Sequence, residues 1–149
     1  MALSTGKDDR RGTGQILNRL LQHFRADLMA THDPLEFPGV RYPHLHVFGN
    51  LGRRGARLTD LAARASLGLA ACSELVNDLE RLGYVERCSD PTDRRAKLIV
   101  PTARGAQLLA ASAGVFATID ETWRSLIGAD QFDAIMAALD DLLTTLDQR

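Results

Sequence analysis

Apolar residues recur every three or four positions through most of this chain, and the interruptions fall where helices end. From Gln15 to Thr31, Ile16, Leu17, Leu20, Leu21, Phe24 and Leu28 lie on one side, the stripe of an amphipathic helix. Asp33-Pro34 and Phe37-Pro38-Gly39 close it, because the residue before a proline is pushed out of the helical region. Tyr42 to Leu51 predicts a second, shorter helix with Pro43 in its first turn. Gly52-Arg53-Arg54-Gly55 is a turn. Leu58 to Ala65 predicts a short helix, Ser66-Leu67-Gly68 breaks it, and Leu69 to Leu82 predicts another. On that one, Leu69, Cys72, Leu75, Val76, Leu79 and Leu82 share a face. Gly83 stops it.

The pattern then changes. Tyr84-Val85-Glu86-Arg87 and Lys97-Leu98-Ile99-Val100 read as paired strands, with Asp90-Pro91-Thr92-Asp93-Arg94-Arg95 as the loop between them. Thr102 or Ala103 opens a long helix that runs to about Ile127, interrupted but not broken at Gly114. Gly128-Ala129-Asp130 is a stop followed by a helix cap. Gln131 to Leu146 is the last helix, with Phe132, Ile135, Met136, Leu139, Leu142, Leu143 and Leu146 on its apolar side.

Two short helices at a steep angle, followed by a basic hairpin, form a DNA-reading device. The second helix can enter a major groove while the hairpin tip reaches the adjoining minor groove. The expected fold class is therefore mainly α with a small two-stranded β wing, a winged helix-turn-helix with N- and C-terminal dimerisation helices. Residues 1–13 are polar and without periodicity, which predicts a flexible arm. Residues 14–149 make a single domain, with the reader at about 53–104 and dimerisation helices at about 15–31, 103–127 and 130–147. These three helices have more apolar face than a small reader can cover. A two-fold dimer with interdigitated terminal helices is the economical solution.

Bulk properties narrow the choice. At 149 residues the chain fits one domain with a real core. No apolar run approaches a membrane span and no signal peptide opens the chain, so a cytoplasmic protein without membrane contact is expected. Two cysteines are too few for a disulfide scaffold. The net charge of −1 argues against a non-specific polyanion binder, but the charge is unevenly placed. Residues 53–104 hold 10 basic and 7 acidic side chains, a net of +3. Residues 105–149 hold 2 and 7, a net of −5. The basic third is the one with the reader.

The same residues carry a resemblance. Leu58-Thr59-Asp60-Leu61-Ala62, Glu74 to Glu80, Gly83-Tyr84-Val85-Glu86-Arg87, Asp90 to Leu98 and Thr102-Ala103-Arg104-Gly105 resemble the winged helix-turn-helix of the multiple-antibiotic-resistance regulator (MarR) family. The match covers roughly a third of the chain, and its most specific part is the wing. The resemblance implies a two-fold dimer of triangular shape, bound to double-stranded DNA at a near-palindrome. It also implies a small effector, an aromatic or phenolic anion, in a crevice between the dimer arms and the reader. Asp93-Arg94-Arg95 aligns with the family's Asp-x-Arg wing tip, where the arginine enters the minor groove.

The candidate DNA-binding residues follow. Arg95 suits a narrow minor groove, which concentrates negative potential and favours guanidinium. Arg94 and Lys97 add charge beside it, and Asp93 braces the hairpin or orients an arginine. On the recognition helix, Ala70, Ala71, Ser73, Glu74 and Asn77 form the exposed early face; serine and asparagine can bond bases or phosphates, glutamate can accept from a cytosine amino group, and alanine can contact thymine methyl. Arg57 and Arg64 supply phosphate contacts. This helix departs from many relatives, which carry arginine where Glu74 and Asp78 stand. Two carboxylates near a polyanion favour a rival reading, a winged-helix protein-interaction module that has lost DNA binding.

For the effector, Phe24, Tyr42, Phe48, Phe116 and Trp123 could line a cavity, with Arg25, Arg41, His44 or His46 as its polar handle; ordinary core is the alternative for each. His44 and His46 are two apart and share no helical face, so no metal site is expected. Cys72 and Cys88 leave a third reading open, a thiol-based redox sensor. No catalytic set, phosphate loop or cofactor motif is present, so neither an enzyme nor a cofactor is expected.

Overall fold

Six helices and one antiparallel hairpin follow one another in the computed structural model, which describes residues 11–149. They are α1 (Thr13–Thr31), α2 (Tyr42–Leu51), α3 (Leu58–Arg64), α4 (Leu69–Arg81), β1 (Val85–Asp90), β2 (Asp93–Pro101), α5 (Ala103–Ile127) and α6 (Ala129–Asp147). This is the mainly α winged helix-turn-helix that the pattern predicts. Of the expected N-terminal arm, residues 1–10 lie outside the described residues, and Thr13 already belongs to α1.

Local chemistry sets the ends. The Gly12 amide donates to Gln15 Oε1 at 3.1 Å and closes the start of α1. At α2 the Arg41 amide donates to His44 Nδ1 at 3.1 Å. At α5 the Thr102 hydroxyl accepts from the Gly105 amide at 3.1 Å and donates to the Gly83 carbonyl at 2.7 Å. One side chain thus caps α5 and ties it to the end of the reader.

The core sits between α2, α3, α4 and the root of the hairpin. Phe48, Leu51, Leu61, Val76, Leu79, Tyr84, Ile99 and Leu108 are all fully buried in it. The Ala56 and Ile99 backbones exchange two hydrogen bonds, at 3.0 and 2.9 Å, and fasten the strand to the segment before α3. Gly55 makes this possible. It has φ +77, and a Cβ there would stand 2.3 Å from the Ile99 carbonyl oxygen.

Two expectations need correction. The six-residue hairpin loop is instead the two-residue turn Pro91-Thr92, and the strands run to the tip with Asp90 opposite Asp93. The cause is Asp90, whose Oδ1 accepts from the Thr92 amide at 2.8 Å and the Thr92 hydroxyl at 2.7 Å and holds the turn tight. Leu69 does not join the buried stripe of α4: it is 52% exposed, and burial starts at Cys72, because the first turn of α4 projects beyond the core.

The terminal helices are covered far less. In α1 only Leu28 is buried, while Ile16, Leu17, Leu20 and Leu21 are exposed. In α6 only Phe132 is buried, while Ile135, Met136, Leu139, Leu142, Leu143 and Leu146 are exposed.

Candidate nucleic-acid interface

The reading face is built from α4 and the hairpin, and their relation is held by a polar clasp. Asp90 is buried at the tip of β1. Its Oδ2 accepts from Arg57 Nε at 2.8 Å and pairs with Arg57 Nη2 at 2.6 Å. Arg57 immediately precedes α3, so the clasp ties the wing to the helix-turn-helix. The Thr92 hydrogen bonds, and then Arg57, hold the Asp90 carboxyl down at about 2. Asp93 Oδ1 accepts from the Arg95 amide at 3.0 Å, so it braces the backbone that carries Arg95. Sequence reasoning placed Arg57 on phosphate and did not single out Asp90. The available signal was Asp90-Pro91-Thr92 itself, an aspartate-led turn.

Arg94, Arg95 and Lys97 are exposed on β2 and, among the described residues, make no ion pair. Ala70 and Glu74 are exposed on α4, and Ser73 is partly covered. Asn77 is also exposed, but its Oδ1 accepts from Arg87 Nη2 at 2.7 Å. Arg87 also pairs with Glu80, so it links α4 to β1. Arg64 is exposed at the end of α3.

Asp78 lies on the other flank of α4. It pairs with Arg81, with Arg41 at 3.6 Å and with His44 Nε2 at 3.5 Å. This packs the recognition helix against the start of α2. Burial lowers the His44 pKa; Arg41 and Arg81 push the same way, and the nearby Asp78 carboxylate opposes them. The acidity of α4 is thus largely answered by cations of the same chain.

The structure divides the expected effector residues. Tyr42 and His46 line a cleft of about 560 Å³ between α1, α2 and the α3–α4 turn, together with Arg25, Asn50, Arg64 and Leu67. The Arg25 guanidinium lies 4.6 Å over the Tyr42 ring, a cation–π contact. His46 Nε2 lies 2.8 Å from the Ala65 carbonyl oxygen. Phe48 is core, and His44 and Arg41 face Asp78 instead. Phe116 stacks on Phe24 with ring centres 5.9 Å apart. Trp123 Nε1 donates to Asp27 at 2.9 Å across α1 and α5. A separate cleft of about 420 Å³, not foreseen from the sequence, lies between the end of α1, the following loop and α5, beside His32 and Ser112.

Cys72 is fully buried, and burial raises its pKa away from the reactive thiolate. Cys88 is exposed on β1. Among the described residues no group of three or more His, Cys, Asp or Glu could hold a metal ion. No described helix is long and apolar enough to cross a membrane.

A sequence model of the MarR family matches residues 39–96. The fold is similar to that of MarR, with a TM-score of 0.75 and 16% identity over 93% of this chain and 100% of that one. It is similar to the transcriptional repressor CouR bound to a 23-mer DNA duplex, with a TM-score of 0.73 and 22% identity over 89% of this chain and 92% of that one. It is also similar to the PcaV transcriptional regulator from Streptomyces coelicolor in complex with its natural ligand, with a TM-score of 0.71 and 20% identity over 97% of each chain. No curated protein sequence matches the chain. The segment 39–96 matches the MarR-family model, and nearly the whole chain has a fold similar to that of solved MarR-family transcriptional regulators.

Proposed function

We propose that the chain is a homodimeric transcription factor that binds a near-palindromic DNA site, acts as a repressor and leaves its operator when a small ligand binds. One observation carries this reading. Exposed Arg94, Arg95 and Lys97, unpaired among the described residues, stand on a hairpin that Arg57 and Asp90 clasp to the helix-turn-helix. The clasp aims cations at the minor groove while α4 faces the adjoining major groove. Arg64 adds a phosphate contact, and Ala70, Ser73, Glu74 and Asn77 form the base-facing side of α4. CouR, of similar fold, is solved on a DNA duplex, which supports the DNA partner.

The exposed leucines of α1 and α6 support the homodimer, because a second copy buries both stripes and sets two readers about one helical turn apart. The reader spans about 53–104, and α1, α5 and α6 are the dimer arms. For the effector, the cleft beside Tyr42 and His46 offers an aromatic wall with the guanidinium groups of Arg25 and Arg64, a setting for an aromatic anion. PcaV, of similar fold, is solved with its natural ligand. Such a ligand releases DNA only if it binds better to the mis-spaced state of the two readers. The chain then works in the cytoplasm, without cofactor or membrane.

Enrichment of a randomised duplex pool by the full-length chain, followed by titration of the winning duplex over a salt series, tests the reading. A palindromic winner whose affinity falls steeply with salt is expected. Equal, weak binding to every sequence would favour the protein-interaction module.

A further inference from the structure

Most polar side chains on the outer side of α4 are committed to protein partners. Asp78 is held by Arg81, Arg41 and His44. Glu80 is held by Arg87, and the Asn77 Oδ1 accepts from the same arginine. Glu74 differs. It is exposed, and among the described residues it makes no ion pair and no side-chain hydrogen bond. Helical spacing puts Ala70, Glu74 and Asn77 on one strip, opposite the buried Cys72, Val76 and Leu79. Leu69, half exposed, belongs instead to the side of Val76, about 100° around the helix from that strip. The leading part of α4 therefore presents Ala70, the partly covered Ser73 and one carboxylate that is uncompensated among the described residues, with no cation.

We propose that Glu74 is the specificity-determining residue of the reader, selecting a cytosine in each half-site, with Ala70 against a neighbouring thymine methyl. This rests on the reading of the chain as a DNA-binding regulator. An ionised carboxylate only accepts hydrogen bonds. In the major groove the donors are the cytosine and adenine amino groups, whereas guanine N7 and O6 and thymine O4 are acceptors that repel it. Adenine sets its N7 acceptor beside its amino group, where the second carboxylate oxygen would meet it. Cytosine presents a donor with no acceptor next to it on its own edge. Cytosine is thus the base that best answers a lone carboxylate.

The charge also explains the division of labour. A carboxylate near phosphate weakens binding to every sequence. Only the correct base offsets the loss, so Glu74 discriminates and does not anchor. Affinity comes from the wing cations and from exposed Arg53 and Arg54 in the turn before α3. The Ala70 side chain carries no donor or acceptor, and thymine methyl is the apolar feature of the groove that it can meet.

The test is enrichment from a duplex pool randomised across both half-sites, at one salt concentration, with the full-length wild type, Glu74→Gln and Glu74→Ala. Glutamine has a donor beside its acceptor and pairs bidentately with adenine. Wild type should enrich cytosine at one position of each half-site, Glu74→Gln should enrich adenine there, and Glu74→Ala should show no preference there. Exchanging that cytosine for adenine in a fixed duplex should shift wild type and Glu74→Gln in opposite directions, by roughly tenfold. Glutamine keeps the helix propensity of glutamate and Glu74 has no partner to lose, so circular dichroism should show both variants folded. The same base preference in all three proteins would overturn the proposal. Failure of wild type to enrich any sequence would instead defeat the DNA-binding reading, and this one with it.

Discussion

The seat of α5 on the reader depends on Gly105 having no side chain. Gly105 is buried in the first turn of α5, and a Cβ there would lie 2.0 Å from the Tyr84 carbonyl oxygen and 3.0 Å from the Phe48 ring. The nearest atom is backbone, so no side-chain rotation can relieve the clash, and α5 must back away. The same Tyr84 carbonyl accepts from the Thr102 amide at 3.0 Å, and Thr102 caps α5, so the retreat also strains the cap. Overpacking costs about 1–3 kcal/mol, and the fixed backbone argues for the upper end. Loss of a helix cap adds about 1 kcal/mol. The better helix propensity of alanine returns about 1 kcal/mol. Gly105→Ala should therefore destabilise the fold by about 3 kcal/mol, which lowers Tm by about 6–12 °C in a chain of this size. Thermal melts followed by circular dichroism, at one fixed protein concentration, measure it. Gly114→Ala is the control: in the same helix, a Cβ at Gly114 meets nothing within 4 Å, and the variant should melt slightly above wild type. A Gly105→Ala variant as stable as wild type would show that α5 is not seated on Tyr84.

Arg57→Ala should loosen the wing with little change in Tm, because Asp90 keeps its Thr92 hydrogen bonds but loses its cation. Hydrogen exchange read at the amides of residues 85–101 should speed up and operator affinity should fall; exchange at wild-type rates would remove the clasp from the account. Asp90 and His44 both contribute to the response to acid. The folded Asp90 pKa of about 2 lies below its ordinary 3.8, so its stabilisation is full above 3.8 and is lost as pH falls through about 2. His44 is depressed below 6.5, so its neutral form stabilises the fold above 6.5 and that contribution fades as pH falls below it. Wild-type Tm should thus drop between pH 7.5 and 5.5, and less so in His44→Gln; parallel profiles would sink the assignment. Sedimentation at micromolar concentration should give the mass of two chains, and truncation after Ile127 should cause aggregation or unfolding. A stable full-length monomer would count against the dimer.

The helices were legible because their apolar spacing and their stops agree. Gly83 and Gly128 end elements where expected, and Thr102 caps α5. The extent of the wing was not legible. Cys88-Ser89-Asp90 and Asp93-Arg94-Arg95 show no alternation of apolar and polar residues, since no apolar side chain is buried at the tip and its one buried residue, Asp90, is polar. Leu69 has the right spacing for the core but the wrong place along the helix axis. In α2, Tyr42 and Phe48 look equivalent as aromatics, and only packing sends Tyr42 with His46 to a cleft and Phe48 to the core. For Asp78, the pair with Arg81 three residues on can be read from spacing. Its contacts with Arg41 and His44 depend on α2 crossing α4, which no local pattern encodes.

The central claim is that the clasped hairpin and α4 together read DNA. The most direct measurement is the affinity of wild type and Arg95→Ala for the enriched duplex at one fixed salt concentration. Arg95 is exposed, and its backbone is braced by Asp93, so its removal should spare the fold and delete one groove contact. A loss of about 1–3 kcal/mol is expected, roughly 5- to 150-fold in Kd, with Tm unchanged. Wild-type affinity in Arg95→Ala would contradict it.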